Sequence, residues 1–230
     1  MKTKSFINSR NNGLFMMKKK TKTKKKEWFP KDYNGGYYKT LINTILCSIY
    51  NELNIPTHRA IVLDGEDIFT TKTLLKLTDF KKHNIHIPNP FSYSKIFKQH
   101  RQTAKCTLSK LLELTKIPFK KSISFAFFDF MGTFDGSKET DMYPKKDITN
   151  YFKYNFPANE SLFAVTISLR NSNSGKYITS DITRLKNHIK KVAKDNGYTT
   201  YNVPLDWTYR KSMYVLCYYV TSLSSKKLLK

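Results

Sequence analysis

With 230 residues, 40% of them hydrophobic and 14% aromatic, the chain can bury one domain core without covalent staples. Cys47, Cys106 and Cys217 form no CxxC pair, no apolar run approaches the ~18 residues of a spanning helix, and no secretory signal is recognisable, which excludes a disulfide scaffold, a cysteine zinc site and a membrane-spanning class. The formal charge of +24 favours phosphate-rich partners through counterion release, nucleic acid ahead of an anionic membrane surface, in a soluble intracellular protein of cytoplasm or nucleus.

Residues 1–32 hold eleven Lys or Arg against Glu27 and Asp32. The run that contains Lys18, Lys19, Lys20, Lys24, Lys25 and Lys26 has nothing to bury, so a disordered basic tail is expected. The cluster suits nucleic-acid contact and a nuclear import address equally. The tail accounts for +9 of the +24 and leaves +15 on residues 33–230, so the folded part is itself basic. Lysine-rich drift in an AT-rich genome is a second source of the same excess.

From Leu41 to Leu53 the apolar positions recur at helical spacing, and Pro56 ends the pattern. Ala60 to Leu63 is a short apolar strand that runs into the acidic turn Asp64-Gly65-Glu66-Asp67, and a second helical pattern begins at Thr70. The unit repeats with Ile85-His86-Ile87, a break at Pro88-Asn89-Pro90, and a helix from Tyr93 to His100. Thr103 to Lys116 reads as helical, Ile123 to Phe128 as a strongly apolar strand ending at Asp129, Pro144 to Phe156 as a short helix, and Leu162 to Leu169 as another strand. Ser180 and Asp181 cap a basic helix that Asn196-Gly197 terminates. Tyr198 to Val203 and Ser212 to Ser222 are two strands joined by a turn containing Pro204 and Asp206, too close for a helical crossover and therefore antiparallel. The expected fold is α/β: Rossmann-like, a mostly parallel sheet with helices on both faces and a C-terminal antiparallel strand pair.

This layout, from Tyr37 to Ser222, resembles the class I S-adenosylmethionine-dependent methyltransferases. The resemblance implies that the turn after the first strand meets the methionine part of the cofactor, the end of the second strand its ribose, and the end of the fourth the substrate. It makes Asp64, Gly65, Glu66, Thr70, Thr71 and Asn89 the cofactor-binding candidates: Asp64 or Glu66 for the ammonium group, Thr70 and Thr71 for the carboxylate, Asn89 for the ribose. It makes Asp129 the catalytic candidate, at the end of a buried strand where an unpaired carboxylate is costly.

Each of these positions has a second reading. Carboxylates at Asp64, Glu66 and Asp67 also suit a helix N-terminus, where the dipole favours them, and Asp129 also reads as a loop cap. Asp135, Asp141 and Asp147 follow in the same loop region, as a pocket mouth or as solvated acids. Lys186, Lys190 and Lys194 stand at four-residue spacing on one helix face, where they can line a phosphate backbone or face water. The first turn carries one glycine, Gly65, and Asn89 stands where the methyltransferases usually have a carboxylate. Two functions are therefore carried forward: a methyltransferase-like protein acting on nucleic acid with S-adenosylmethionine, and a non-catalytic nucleic-acid-binding or packaging protein, such as a viral component, on a degenerate methyltransferase fold. No metal site is expected.

Overall fold

The computed structural model describes residues 36–136, 142–170, 180–210 and 212–223. The expected tail with its six named lysines, and Asp141, lie outside them.

Helix α1 (Gly36–Glu52) buries Ile42, Leu46, Ile49 and Tyr50, a stripe at three- and four-residue spacing. It stops where Asn54 turns left-handed at φ 50° ahead of Pro56. Strand β1 (Arg59–Val62) follows, then α2 (Phe69–Leu77), β2 (Ile85–Pro88), α3 (Tyr93–Gln99), β3 (Thr103–Ala104), α4 (Leu108–Thr115) and β4 (Ile123–Asp129). The second half adds α5 (Pro144–Lys153), β5 (Pro157–Ser168), α6 (Ser180–Asp195), β6 (Tyr198–Tyr209) and β7 (Met213–Ser222). Two residues beyond the end of α6 stands Gly197, whose φ of +83° is open to glycine without strain.

The seven strands form one sheet in the order β3-β2-β1-β4-β5-β7-β6. The first five are parallel, and β7 enters antiparallel between β5 and β6. Alternate strand residues feed two cores. Ile61, Ala126, Phe128, Phe163 and Leu216 face α4, α5 and α6; Ala60, Val62, Phe125, Phe127, Ala164 and Val215 face α1, α2 and α3. The expected α/β architecture, with helices on both faces and a C-terminal antiparallel pair, is therefore present.

Two expectations are corrected. Thr103 and Ala104 do not begin a helix; they form β3, pairing with Ile87 and Pro88. The helix starts only at Leu108, after Thr107 has accepted a bond from the Lys110 amide, because the leucine stripe itself begins there. Pro204 and Asp206 do not make the final turn either. They lie inside β6, where a register irregularity between Asn202 and Asp206 absorbs the proline. As β6 is the outermost strand, the missing amide forfeits no ladder bond. The chain reverses beyond Tyr209, with Arg210 left-handed at φ 50° and the Ser212 amide bonded to the Arg210 carbonyl.

Candidate functional site

Crossovers from β1 run outward to β2 and β3, whereas β4 leads the other way to β5, so the order reverses between the adjacent strands β1 and β4. Open α/β sheets bind ligands at such a switch point, beyond the carboxyl ends of the strands. Here those ends are Asp64, just after β1, and Asp129, the last residue of β4.

Asp64 is buried, and its carboxylate accepts from the Thr70 amide at 3.0 Å, the Thr71 amide at 2.8 Å and the Thr71 hydroxyl at 2.7 Å. The two amides belong to the first turn of α2, where backbone donors have no helical acceptor, so Asp64 starts the helix from six residues away. Burial pushes its carboxyl pKa up, against the lowering effect of these donors. Between them Ile68 sits left-handed at φ 46°, a conformation that costs a β-branched residue about 1–2 kcal/mol. Its side chain is buried in the core that faces α1, which offsets that strain.

Asn89 ties this turn to the next. Its amide nitrogen donates to the Asp64 carbonyl at 3.0 Å, and its oxygen accepts from the Phe91 and Ser92 amides at 2.9 and 2.7 Å. Glu66 meets Lys95 at 2.7 Å and the Ser92 hydroxyl at 3.1 Å, and its carbonyl takes a bond from Gln99. The Lys95 ammonium holds the Glu66 carboxyl below its ordinary range. Asp64, Glu66, Thr70, Thr71 and Asn89 thus share one hydrogen-bonded assembly. Gly65 stands in it with nothing within 4 Å of where a Cβ would be, and Gly132, beyond β4, is equally open.

Asp129 pairs with Lys39 of α1 at 3.0 Å, its side chain only 8% exposed. Composition gave no signal for Lys39, since it lies just before the helical stripe begins and its partner is 90 positions away. Asp135 and Asp147 do not converge on a pocket mouth: Asp135 chelates Arg184 at 2.8 Å through both oxygens, and Asp147 is buried under Ser109. Lys186 is bound to Asp206 at 2.6 Å, and Lys190 and Lys194 are exposed. Burial raises the Asp206 carboxyl, but Lys186, Tyr214 and the charge of Lys190 outweigh it and leave the group below its ordinary range.

A cavity of about 680 Å³ opens at the other pole of the sheet, between Tyr50, Asn54, Pro56 and Thr57 on one side and Lys76 and Asp79 on the other. Among the described residues no cluster of His, Cys, Asp or Glu is arranged to hold a metal ion, and no helix is long and apolar enough to cross a membrane.

Among the described residues, the strand order, the single antiparallel β7 and three helices on each face define the fold of the class I S-adenosylmethionine-dependent methyltransferases. No protein-family profile and no curated protein matches the sequence. Among solved structures, a candidate transferase of Pyrococcus horikoshii superposes with a TM-score of 0.51 and 7% identity over 80% of this chain and 64% of that one. The chain thus spans less than two thirds of that protein's length. A candidate methyltransferase of Escherichia coli gives 0.49 and 10% over 84% and 90% of the two chains. Magnesium protoporphyrin IX methyltransferase of Synechocystis, with bound SAH, gives 0.49 and 10% over 80% and 84%. These likenesses are of fold alone.

Proposed function

We propose that this protein binds nucleic acid on a methyltransferase fold whose cofactor-facing polar groups are bonded to one another. The observation that carries this reading is the hydrogen-bonded assembly of Asp64, Thr70, Thr71 and Asn89. The helix N-terminal amides that would receive a ligand carboxylate are bound to Asp64. Both acceptor positions of the Asn89 oxygen are taken by backbone amides, so it has none for ribose hydroxyls. As they stand, these groups do not fit S-adenosylmethionine.

The nucleic-acid partner is supported by charge. Residues 33–230 carry +15 without the tail, and phosphate contacts supply most of non-specific affinity. Titration of a labelled oligonucleotide by fluorescence anisotropy, with no cofactor added, tests the reading. Binding should be micromolar or tighter at low salt and weaken steeply as salt rises, as expected of several released counterions. No binding at low salt would sink it.

A second reading is methyl transfer to nucleic acid, which the open space above Gly65 and Gly132 favours. It requires Asp64 and Asn89 to exchange their present partners for the cofactor.

A further inference from the structure

Tyr37, in the first turn of α1, has 75% of its surface exposed. A single exposed tyrosine needs no explanation, but this one begins a contiguous series. Its ring stands edge-on to Tyr38 with centroids 5.5 Å apart; Tyr38 meets Tyr209 at 5.8 Å, and Tyr209 meets Trp207 at 6.1 Å. The Arg210 guanidinium lies 5.7 Å from the centre of the Tyr38 ring. Tyr209 is buried and forms the floor, Tyr38 and Trp207 are half-buried, and Tyr37 projects.

The position of this series follows from topology. Lys39, two residues after Tyr37, touches Asp129 at the carboxyl end of β4. Tyr209 ends β6, which runs in the same direction as β5 because both are antiparallel to β7. The aromatic series therefore lies at the carboxyl edge of the sheet, reaching from the first turn of α1 to the outermost strand β6: Tyr209 belongs to the core, Tyr38 and Trp207 pack against it with part of each ring exposed, and Tyr37 stands clear.

We propose that Tyr37, Tyr38 and Trp207, with Arg210, form a stacking platform for unpaired bases, so that the partner is single-stranded nucleic acid. The proposal rests on the nucleic-acid reading above and narrows it. Every base has a π-face, so aromatic rings bind single strands with little regard to sequence, and an arginine adds cation–π attraction and a phosphate contact. In a duplex those faces are covered by neighbouring bases. A lysine face binds both forms; an aromatic platform discriminates. The chain's charge of +24 complements the polyanion, and the exposed ring supplies what charge alone does not.

The test uses the full chain with a short labelled single strand and a hairpin duplex of equal phosphate number, at about 200 mM salt where the phosphate contribution is weakened. Wild type should prefer the single strand. Tyr37→Ala should weaken single-strand binding roughly tenfold, the usual scale for one lost stack, leave duplex binding within about twofold and keep the salt slope. Tyr37→Phe should restore wild-type binding, since stacking needs the ring and not the hydroxyl. Because Tyr37 is exposed, unaltered thermal unfolding of both variants is expected. Equal affinity for the two forms, or equal losses on both with Tyr37→Ala, overturns the platform while leaving nucleic-acid binding intact. No binding to either form, at low salt as well, overturns both readings. Capture by phosphatidylserine vesicles that depends on Tyr37, with no single-strand preference, would reassign the surface to a membrane and likewise overturn the proposal.

Discussion

Lys39 places its ammonium 3.0 Å from the Asp129 carboxylate and so ties the first turn of α1 to the centre of the sheet, where the crossovers diverge. The two partners are not equivalent. The lysine side chain is 32% exposed and can swing into water, whereas the aspartate, at 8%, cannot.

Lys39→Ala should therefore destabilise the fold by about 2–3 kcal/mol, because it leaves a buried carboxylate without its counter-charge. Asp129→Asn should lose only about 1 kcal/mol, the ordinary scale of a partly exposed pair. Urea unfolding of both variants checks the asymmetry, and equal losses would contradict it. Asp129→Asn should leave nucleic-acid binding unchanged.

Asp64 serves three donors at once. Asp64→Ala should reduce stability by about 3 kcal/mol, since two helix amides and a hydroxyl are left unsatisfied in a buried site. Amide hydrogen exchange should show the loss first at Thr70 and Thr71.

His86 makes the acid response readable. Its ring packs on Phe119 with centroids 4.5 Å apart, and burial, with the charges of Arg59 and His100, pushes its pKa down from 6.5 to about 4. The unfolded chain takes up a proton as pH falls through about 6.5, while the folded protein resists until about 4. The stability tied to neutral His86 is thus complete above the higher value and lost on acidification towards the lower one. Its size is on the order of 2–3 kcal/mol, with allowance for partial access of water. His86→Phe should flatten the fall in unfolding free energy between pH 7 and pH 4.5; an unchanged fall would contradict this assignment.

The pattern of apolar residues made most of the fold legible, because a strand buried on both faces such as Phe125 to Phe128 and a stripe such as Ile42, Leu46 and Ile49 repeat their signal over several residues. Strand β3 did not show, since two residues carry no alternation, and Pro204 masqueraded as a turn because the strand's place at the sheet edge is a property of the whole topology. At the site, the sequence singled out Asp64, Thr70, Thr71 and Asn89, and the structure brings them together. What it did not carry was their mutual bonding, which depends on Ile68 turning left-handed. Lys39 and the Tyr37 to Trp207 series were hidden because their partners lie 90 to 170 positions away, roughly the separation only a folded chain closes.

The lysines of α6 are unequal. Lys186 is held by Asp206, whereas Lys190 and Lys194 are exposed. Charge reversal at Lys190 and Lys194 should make the salt dependence of binding shallower by nearly one log unit per lost phosphate contact on duplex. Deletion of residues 1–31 should do the same more strongly and leave a residual salt-sensitive affinity. A truncated protein that binds nothing at low salt would assign all binding to the tail.

Thermal unfolding of the full chain in the presence of two ligands tests the central claim most directly, because a ligand that binds only the folded state raises the melting temperature by mass action. A single-stranded oligonucleotide should raise it, less so as salt increases, and millimolar S-adenosylmethionine or S-adenosylhomocysteine should leave it unchanged. A saturable rise with either cofactor compound, abolished by Asn89→Ala, would contradict the self-bonded crevice and make this fold a cofactor-binding one.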